Sequence, residues 1–159
     1  MSHAPSLPAP FATLLAGKEE IRFTGARTPF DACFGCGPDH EIGLRVRCFR
    51  ADGGVLSPII IPARFAGPPG AAHGGIVAAY LDEVLAGAAV NHTGRVHVTG
   101  ELSIRYLKPT PVEHPLLGRG RATAGTGKYL DLEGNLEDLE TRDVVARATG
   151  RFFPVNDAW

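Results

Sequence analysis

The sequence predicts an α+β domain in which one long helix packs against one curved antiparallel sheet. From Ile76 to Val90 nearly every side chain is apolar or small, which is typical of a helix surrounded by protein. Downstream, segments that alternate apolar and polar residues are separated by short turns, which favours antiparallel neighbours. The length of 159 residues suits one domain, and 44% apolar residues are enough for a core.

The first half of the chain predicts an arm and two strands. Residues 1–10 form a Pro-rich arm that we expect to be poorly ordered, and Phe11 to Ala16 is a short helix candidate. Leu44 to Arg50 alternates in the manner of a strand. Val55 to Ile61 is a second strand candidate, in which Pro58 indicates an edge or a bulge.

The second half predicts the end of the helix and four strands. The helix should end near residues 91–94, which read Asn-His-Thr-Gly. The strand candidates are residues 96–106, 116–124, 130–137 and 144–153. One face of the last strand carries small side chains, Val144, Ala146, Ala148 and Gly150. A bulky element, for which the long helix is the candidate, would be able to approach the sheet closely there.

Composition excludes several classes of function. The net charge is −1 with no basic block, so neither nucleic acid nor an anionic membrane is expected as a partner. The N-terminus lacks the pattern of a secretory signal, and the longest apolar run is too short to span a bilayer. Three cysteines do not make a disulfide framework. We therefore expect a soluble, cytoplasmic protein.

Two adjacent carboxylates, Asp82 and Glu83, interrupt the apolar helix. A buried charge without a partner is costly, and the helical neighbours of Asp82 are all apolar. At least one acid should therefore face a cavity, a partner chain or a ligand. Alternatively, both acids reach solvent through a groove, or one pairs with Arg105 or Arg147; burial alone does not choose between them.

The tripeptide His73-Gly74-Gly75 precedes the helix. The first N–H groups of a helix lack intrahelical partners, and the helix dipole adds positive charge, which suits a polarised carbonyl oxygen. A tight turn that needs glycine is the simpler interpretation. Gly74 and Asp82 are separated by about 12 Å of helix, so they can act on one group only if two chains contribute. A homodimer with antiparallel helices would meet this condition.

Cys33 and Cys36 have the spacing of half a metal site. A structural zinc site needs four ligands, and only His40 and Cys48 are near in the sequence. The glycine and proline that follow favour a turn, so a packed loop is the preferred interpretation and we expect no metal. A small metal or redox protein built on the two cysteines is a further class to test, by metal analysis.

These motifs together resemble the hotdog-fold acyl-CoA thioesterases, most closely the hydroxybenzoyl-CoA and phenylacetic-acid-degradation type. The resemblance rests on His73-Gly74-Gly75 followed by Asp82-Glu83, and on residues 98–109, which read VTGELSIRYLKP. The opening CFGCGP at 33–38 and the ending ARATGRF at 146–152 also match. The resemblance covers residues 30–153, and we divide the chain into an arm, residues 1–29, and a single domain, residues 30–159.

The resemblance implies a curved sheet wrapped around the helix, a homodimer or a dimer of dimers, and thioester hydrolysis at the dimer interface. By position, Asp82 matches the catalytic carboxylate, acting as nucleophile or general base. Gly75, with Gly74 beside it, matches the backbone donor to the thioester carbonyl, and His73 shapes the turn. No cofactor is implied.

Further residues are candidates for substrate contacts. Glu83 and Thr99 are possible polar members of the site. The CoA phosphates should meet basic side chains, for which the candidates are Arg105, Lys108, Arg119, Arg121 and Lys128. Some family members carry an Asn or Gln before the histidine, whereas residues 65–72 here have no side-chain amide. This difference sustains an alternative hypothesis, a non-catalytic protein that binds acyl-CoA or another apolar ligand on the same fold.

Overall fold

Six strands form one antiparallel sheet against a single long helix in the computed structural model, which describes residues 6–21 and 28–156. The α-helices are α1 (Ala9–Ala12) and α2 (Gly74–Thr93), and two short 3-10 helices span Pro29–Ala32 and Ala63–Phe65. The strands are β1 (Phe49–Ala51), β2 (Gly54–Ile60), β3 (His97–Tyr106), β4 (Pro115–Gly125), β5 (Leu130–Asp138) and β6 (Val144–Pro154). Their order in the sheet is β1-β2-β4-β5-β6-β3, and α2 packs against all strands from β2 to β6. The predicted hotdog fold is confirmed.

Helix α2 begins and ends where the sequence predicts. His73 is the N-cap residue, and Gly94 closes the helix in the left-handed conformation, with φ of 72°. Only glycine adopts that conformation routinely, which explains its place here. The side chains of Leu81, Val84 and Leu85 are fully buried. Within the described residues, no helix combines the length and hydropathy that a membrane span requires.

Small residues on the sheet allow α2 to approach closely. Ala146 and Ala148 of β6 are buried beneath the helix, as the sequence predicted. A small residue allows the same close packing on β4, where a Cβ at Gly120 would lie 3.0 Å from the Val84 carbonyl oxygen. Larger side chains at these positions would push the helix off the sheet.

A β-bulge in β3 changes which side chains face the helix. The register with β6 shifts between Thr99 and Glu101. After the bulge, the side chains of Leu102 and Ile104 pack against the core. Before the bulge, the side chain that points toward the helix is that of Thr99. The uninterrupted alternation predicted over this strand is therefore wrong at Val98, which is 50% exposed. A bulge inserts one extra residue, and this exchanges the two faces of the strand.

The predicted strand from Leu44 to Arg50 is largely absent, because only its end enters β1. Arg45 adopts a positive φ of 51°, which interrupts the extended backbone. Residues 44 and 46 instead donate their backbone N–H groups to the loop at residues 34 and 35. The second predicted strand is confirmed as β2. Strand β1 pairs only with the first three residues of β2, so Pro58 lies beyond this pairing, where no strand among the described residues needs its missing N–H group.

The N-terminal segment covers the sheet face opposite α2. The short helix occupies Ala9–Ala12 rather than the predicted residues 11–16, and hydrogen-bonded turns continue it to residue 17. Phe11 and Leu15 are buried in a second cluster with Phe49, Leu56 and Leu117. Of the arm predicted to be poorly ordered, residues 1–5 lie outside the described residues.

Candidate active site

The N-terminus of α2 presents one free backbone donor. The His73 ring caps the helix, and its Nδ1 accepts a hydrogen bond of 3.0 Å from the Gly75 N–H. The N–H groups of Ile76 and Val77 donate to the His73 carbonyl oxygen. Among the described residues, no protein acceptor takes the Gly74 N–H. The Gly75 N–H, which was predicted to donate to a substrate, therefore already donates to the capping His73 ring, whereas the Gly74 N–H is available.

Tyr106, which the sequence analysis missed, fixes the position of this helix end. Its hydroxyl donates a 2.6 Å hydrogen bond to the Gly74 carbonyl oxygen. A cleft of about 400 Å³ opens beside this contact, lined by Gly74, Val77, Tyr106 and Thr110 among others. The alternation of β3 could have identified Tyr106, because it lies on the same face as Leu102 and Ile104.

Asp82 lies in the middle of α2, partly exposed and facing β3. The Thr99 hydroxyl donates a 2.6 Å hydrogen bond to Asp82 Oδ1. This contact exists because the bulge turns Thr99 toward the helix. No ion pair joins Asp82 to a cation within residues 6–21 and 28–156, and Oδ2 has no hydrogen-bond donor in the same range. The carboxylate is therefore held at one oxygen and available at the other.

Glu83 points away from Asp82 into the loop that carries the two cysteines. The Cys33 Sγ lies 4.0 Å from Glu83 Oε1, and the Cys36 Sγ lies within 4.8 Å of a Glu83 carboxyl oxygen. Burial raises the pKa of Glu83 to about 7, the charge of Asp82 adds to the rise, and the hydrogen bond from Cys36 opposes it. Neither Arg105 nor Arg147, the suggested partners, forms this contact.

The basic side chains proposed for CoA phosphates occupy different surfaces. Arg105 is exposed on β3, and Lys108 pairs with Asp143 at 2.7 Å. Arg119 pairs with Glu137, and Arg121 with Glu133, on the sheet face opposite α2. Lys128 is exposed in the turn after β4. Their contacts with substrate stay predictions, and of this set only Lys108 lines the cleft beside Gly74.

One chain does not bring the donor and the carboxylate together. Gly74 and Asp82 belong to one uninterrupted helix, and eight residues separate them. At a rise of about 1.5 Å per residue, the distance is about 12 Å, too long for both to touch one reacting group. The free donor and the carboxylate thus lie at two separate positions on the same helix.

These features define a hotdog protein with a carboxylate on its central helix and a free donor at the helix N-terminus. Residues 69–145, which include both, match the family model of the thioesterase superfamily. The solved structure of RHA08564, a thioesterase superfamily protein, is 32% identical with a TM-score of 0.65, over 73% of this chain and 60% of that chain. This chain belongs to the thioesterase superfamily.

Two further solved structures resemble the chain. The smu.793 protein from Streptococcus mutans UA159, bound to acetyl CoA, is 25% identical with a TM-score of 0.60, covering 65% of this chain and 82% of that one. The BH2602 protein from Bacillus halodurans, with CoA, is 27% identical with a TM-score of 0.56, covering 62% and 70%. The chain thus spans most of two CoA-bound relatives, but less than two thirds of RHA08564.

Proposed function

We propose that this protein hydrolyses acyl-CoA thioesters at a site that two copies of the chain complete. The observation that carries the proposal is the Asp82 carboxylate, which Thr99 holds at one oxygen and which no cation within the described residues neutralises. Membership of the thioesterase superfamily supports the reaction. The relatives solved with acetyl CoA and CoA support the substrate class.

The helix N-terminus would stabilise the transition state. In the proposed complex the Gly74 N–H donates to the thioester carbonyl oxygen, and the helix dipole favours the negative charge that develops there. The Gly75 N–H becomes a second donor when the His73 ring releases it. Tyr106 keeps this end of the helix in place through the Gly74 carbonyl oxygen.

Asp82 of the partner subunit would supply the base or the nucleophile. As a base it takes a proton from water, whose oxygen bonds to the carbonyl carbon; the C–S bond then breaks, and the CoA thiolate takes up the proton. As a nucleophile it bonds to the carbonyl carbon and expels the CoA thiolate, and water then hydrolyses the mixed anhydride. Both routes use the oxygen that Thr99 leaves available.

A thiol-release assay with a panel of acyl-CoA thioesters tests the reaction. Asp82→Asn should lower turnover by a factor of about 10² to 10⁴, the range for a positioned base. Glu101→Gln is the matched control, because Glu101 is exposed on the same strand as Thr99 and faces away from the helix. Full turnover in Asp82→Asn would remove Asp82 from its role. Binding of acyl-CoA without thiol release would support the non-catalytic alternative, which the capped Gly75 N–H favours.

Mixing two inactive variants tests the two-chain geometry. Asp82→Asn removes the carboxylate, and Gly74→Val obstructs the donor, so each homodimer should be inactive. A mixed dimer has one site with both defects and one intact site. Random exchange should therefore restore up to about a quarter of the wild-type rate. No recovery in mixtures whose mixed dimers are demonstrated by differently tagged chains would refute the two-chain site.

A further inference from the structure

The loop at Cys33–Cys36 and the central helix place three metal-binding side chains together. The Sγ atoms of Cys33 and Cys36 and a carboxylate oxygen of Glu83 all lie within 4.8 Å of one another. The Cys33 Sγ to Glu83 Oε1 distance is 4.0 Å. Fifty residues separate Cys33 from Glu83, so the tertiary fold creates this cluster.

The backbone holds the loop in the shape that the cluster requires. The Gly37 N–H donates to the Cys33 carbonyl oxygen at 2.9 Å, which closes the turn between the two cysteines. The N–H of residue 44 donates to the Phe34 carbonyl oxygen, and that of residue 46 donates to the Gly35 carbonyl oxygen. A Cβ at Gly35 would overlap the Glu83 carboxyl group, so this glycine allows the acid to enter the loop.

Glu83 lacks a positive partner in this position. Within residues 6–21 and 28–156, no Lys, Arg or His side chain forms an ion pair with Glu83. The metal-binding side chains clustered with its carboxyl group are two thiols, which give up their protons when a metal binds. A partly buried acid clustered with two thiols is a set of three metal-binding donors, and a cation that displaces the thiol protons would satisfy all three side chains.

We propose that Cys33, Cys36 and Glu83 bind a zinc ion. Tetrahedral zinc with Zn–S of about 2.3 Å and Zn–O of about 2.0–2.2 Å requires its donors to lie roughly 3.5–3.8 Å apart, which small side-chain adjustments achieve here. Two thiolates favour zinc over magnesium or calcium, which prefer oxygen ligands. The fourth position is left to water.

The zinc ion would tether the loop to the helix beside Asp82. In the sequence, His40 and Cys48 are the only further candidates near the two cysteines, and the preferred interpretation is a packed loop without a metal; the proposed zinc site differs on both points. Cys48 is buried one helical turn further on, against Gly87, and is not among the clustered donors. The His40 ring packs edge-on against Phe34. Glu83, which the spacing of cysteines and histidines does not reveal, takes their place.

Metal analysis of the full chain, purified under reducing conditions with added Zn²⁺, tests the proposal. Wild type should retain about one zinc ion per chain after desalting, and Cys33→Ser and Cys36→Ser should each retain less than about a tenth of that. Cys48→Ala is the matched control and should retain zinc as wild type does. Retention of zinc by Cys33→Ser and Cys36→Ser, or its loss in Cys48→Ala, would assign the metal elsewhere.

A cobalt titration keeps the test decisive where a variant does not fold. Metal-free wild type should develop thiolate-to-cobalt absorption that saturates at about one equivalent and is displaced by Zn²⁺. Glu83→Gln should weaken cobalt binding while the thiolate absorption persists. Absence of this absorption in folded, reduced wild type, together with substoichiometric zinc, would overturn the proposal. Neither readout depends on thioester hydrolysis.

Discussion

Replacing Thr99 with valine would test how Asp82 is positioned. Valine keeps the shape and the β-branch of threonine and removes only the hydroxyl that donates 2.6 Å to Asp82 Oδ1. The carboxylate then loses its one donor among the described residues and gains freedom to rotate. Thr99→Ser is the matched control, because it keeps the hydroxyl and removes only a methyl group.

The size of the effect follows from that hydrogen bond. A bond to a charged group contributes about 1.5–3 kcal/mol, and because Thr99 is exposed the lower end applies. Since about 1.4 kcal/mol corresponds to a factor of ten, kcat should fall roughly tenfold in Thr99→Val. KM should change little, because Thr99 holds the carboxylate rather than the substrate. Thr99→Ser should retain most of kcat.

Thiol release measured over a range of acyl-CoA concentrations separates kcat from KM. The free energy of unfolding should be within about 0.5 kcal/mol of wild type, since the site is exposed, and urea denaturation verifies this. If Thr99→Val keeps the wild-type kcat while Asp82→Asn is inactive, Thr99 does not position Asp82. A rise in KM alone would instead place Thr99 in contact with the substrate.

Two further predictions concern stability and are measured by urea denaturation. Gly120→Val should lower the free energy of unfolding by about 2–3 kcal/mol, because its Cβ would lie 3.0 Å from the Val84 carbonyl oxygen. Gly127→Ala is the control and should be neutral, because no atom lies within 4 Å of the added Cβ. Equal effects of the two substitutions would refute the close packing of the helix on the sheet. Burial raises the pKa of Asp138, but the following backbone N–H groups and the His114 ring outweigh it and hold the pKa below its ordinary value. Asp138 therefore stabilises the fold at neutral pH and loses this contribution as the pH falls below about 4, so Asp138→Asn should lose less stability on acidification than wild type does.

The main elements of the fold were predictable from local sequence pattern. The apolar run from Ile76 to Val90, bounded by glycines, specified α2, and alternation specified β4, β5 and β6. These signals are local, since burial repeats with the period of the element itself. The segment from Leu44 to Arg50 shows the limit of this reasoning, because its alternation was real but its hydrogen bonds go to a loop.

The site was predictable in part. The sequence identified Asp82 and Glu83 as two acids that burial does not explain, and it identified the candidate donors at the start of the helix. Only the family resemblance selected Asp82 from the two acids. It did not reveal that His73 caps Gly75, because the direction of a ring depends on the φ and ψ of one turn. Nor did it reveal Tyr106 at the Gly74 carbonyl oxygen.

The sequence by itself determined that this protein has one buried helix carrying two acids. Only the tertiary structure decided what each acid faces: the bulge in β3 turns Thr99 toward Asp82, and the packed loop brings Cys33 and Cys36 to Glu83. The physical reason is that adjacent helical residues point about 100° apart, so their surroundings come from segments distant in the chain. Periodicity shows which side chains are buried, and long-range packing decides their neighbours.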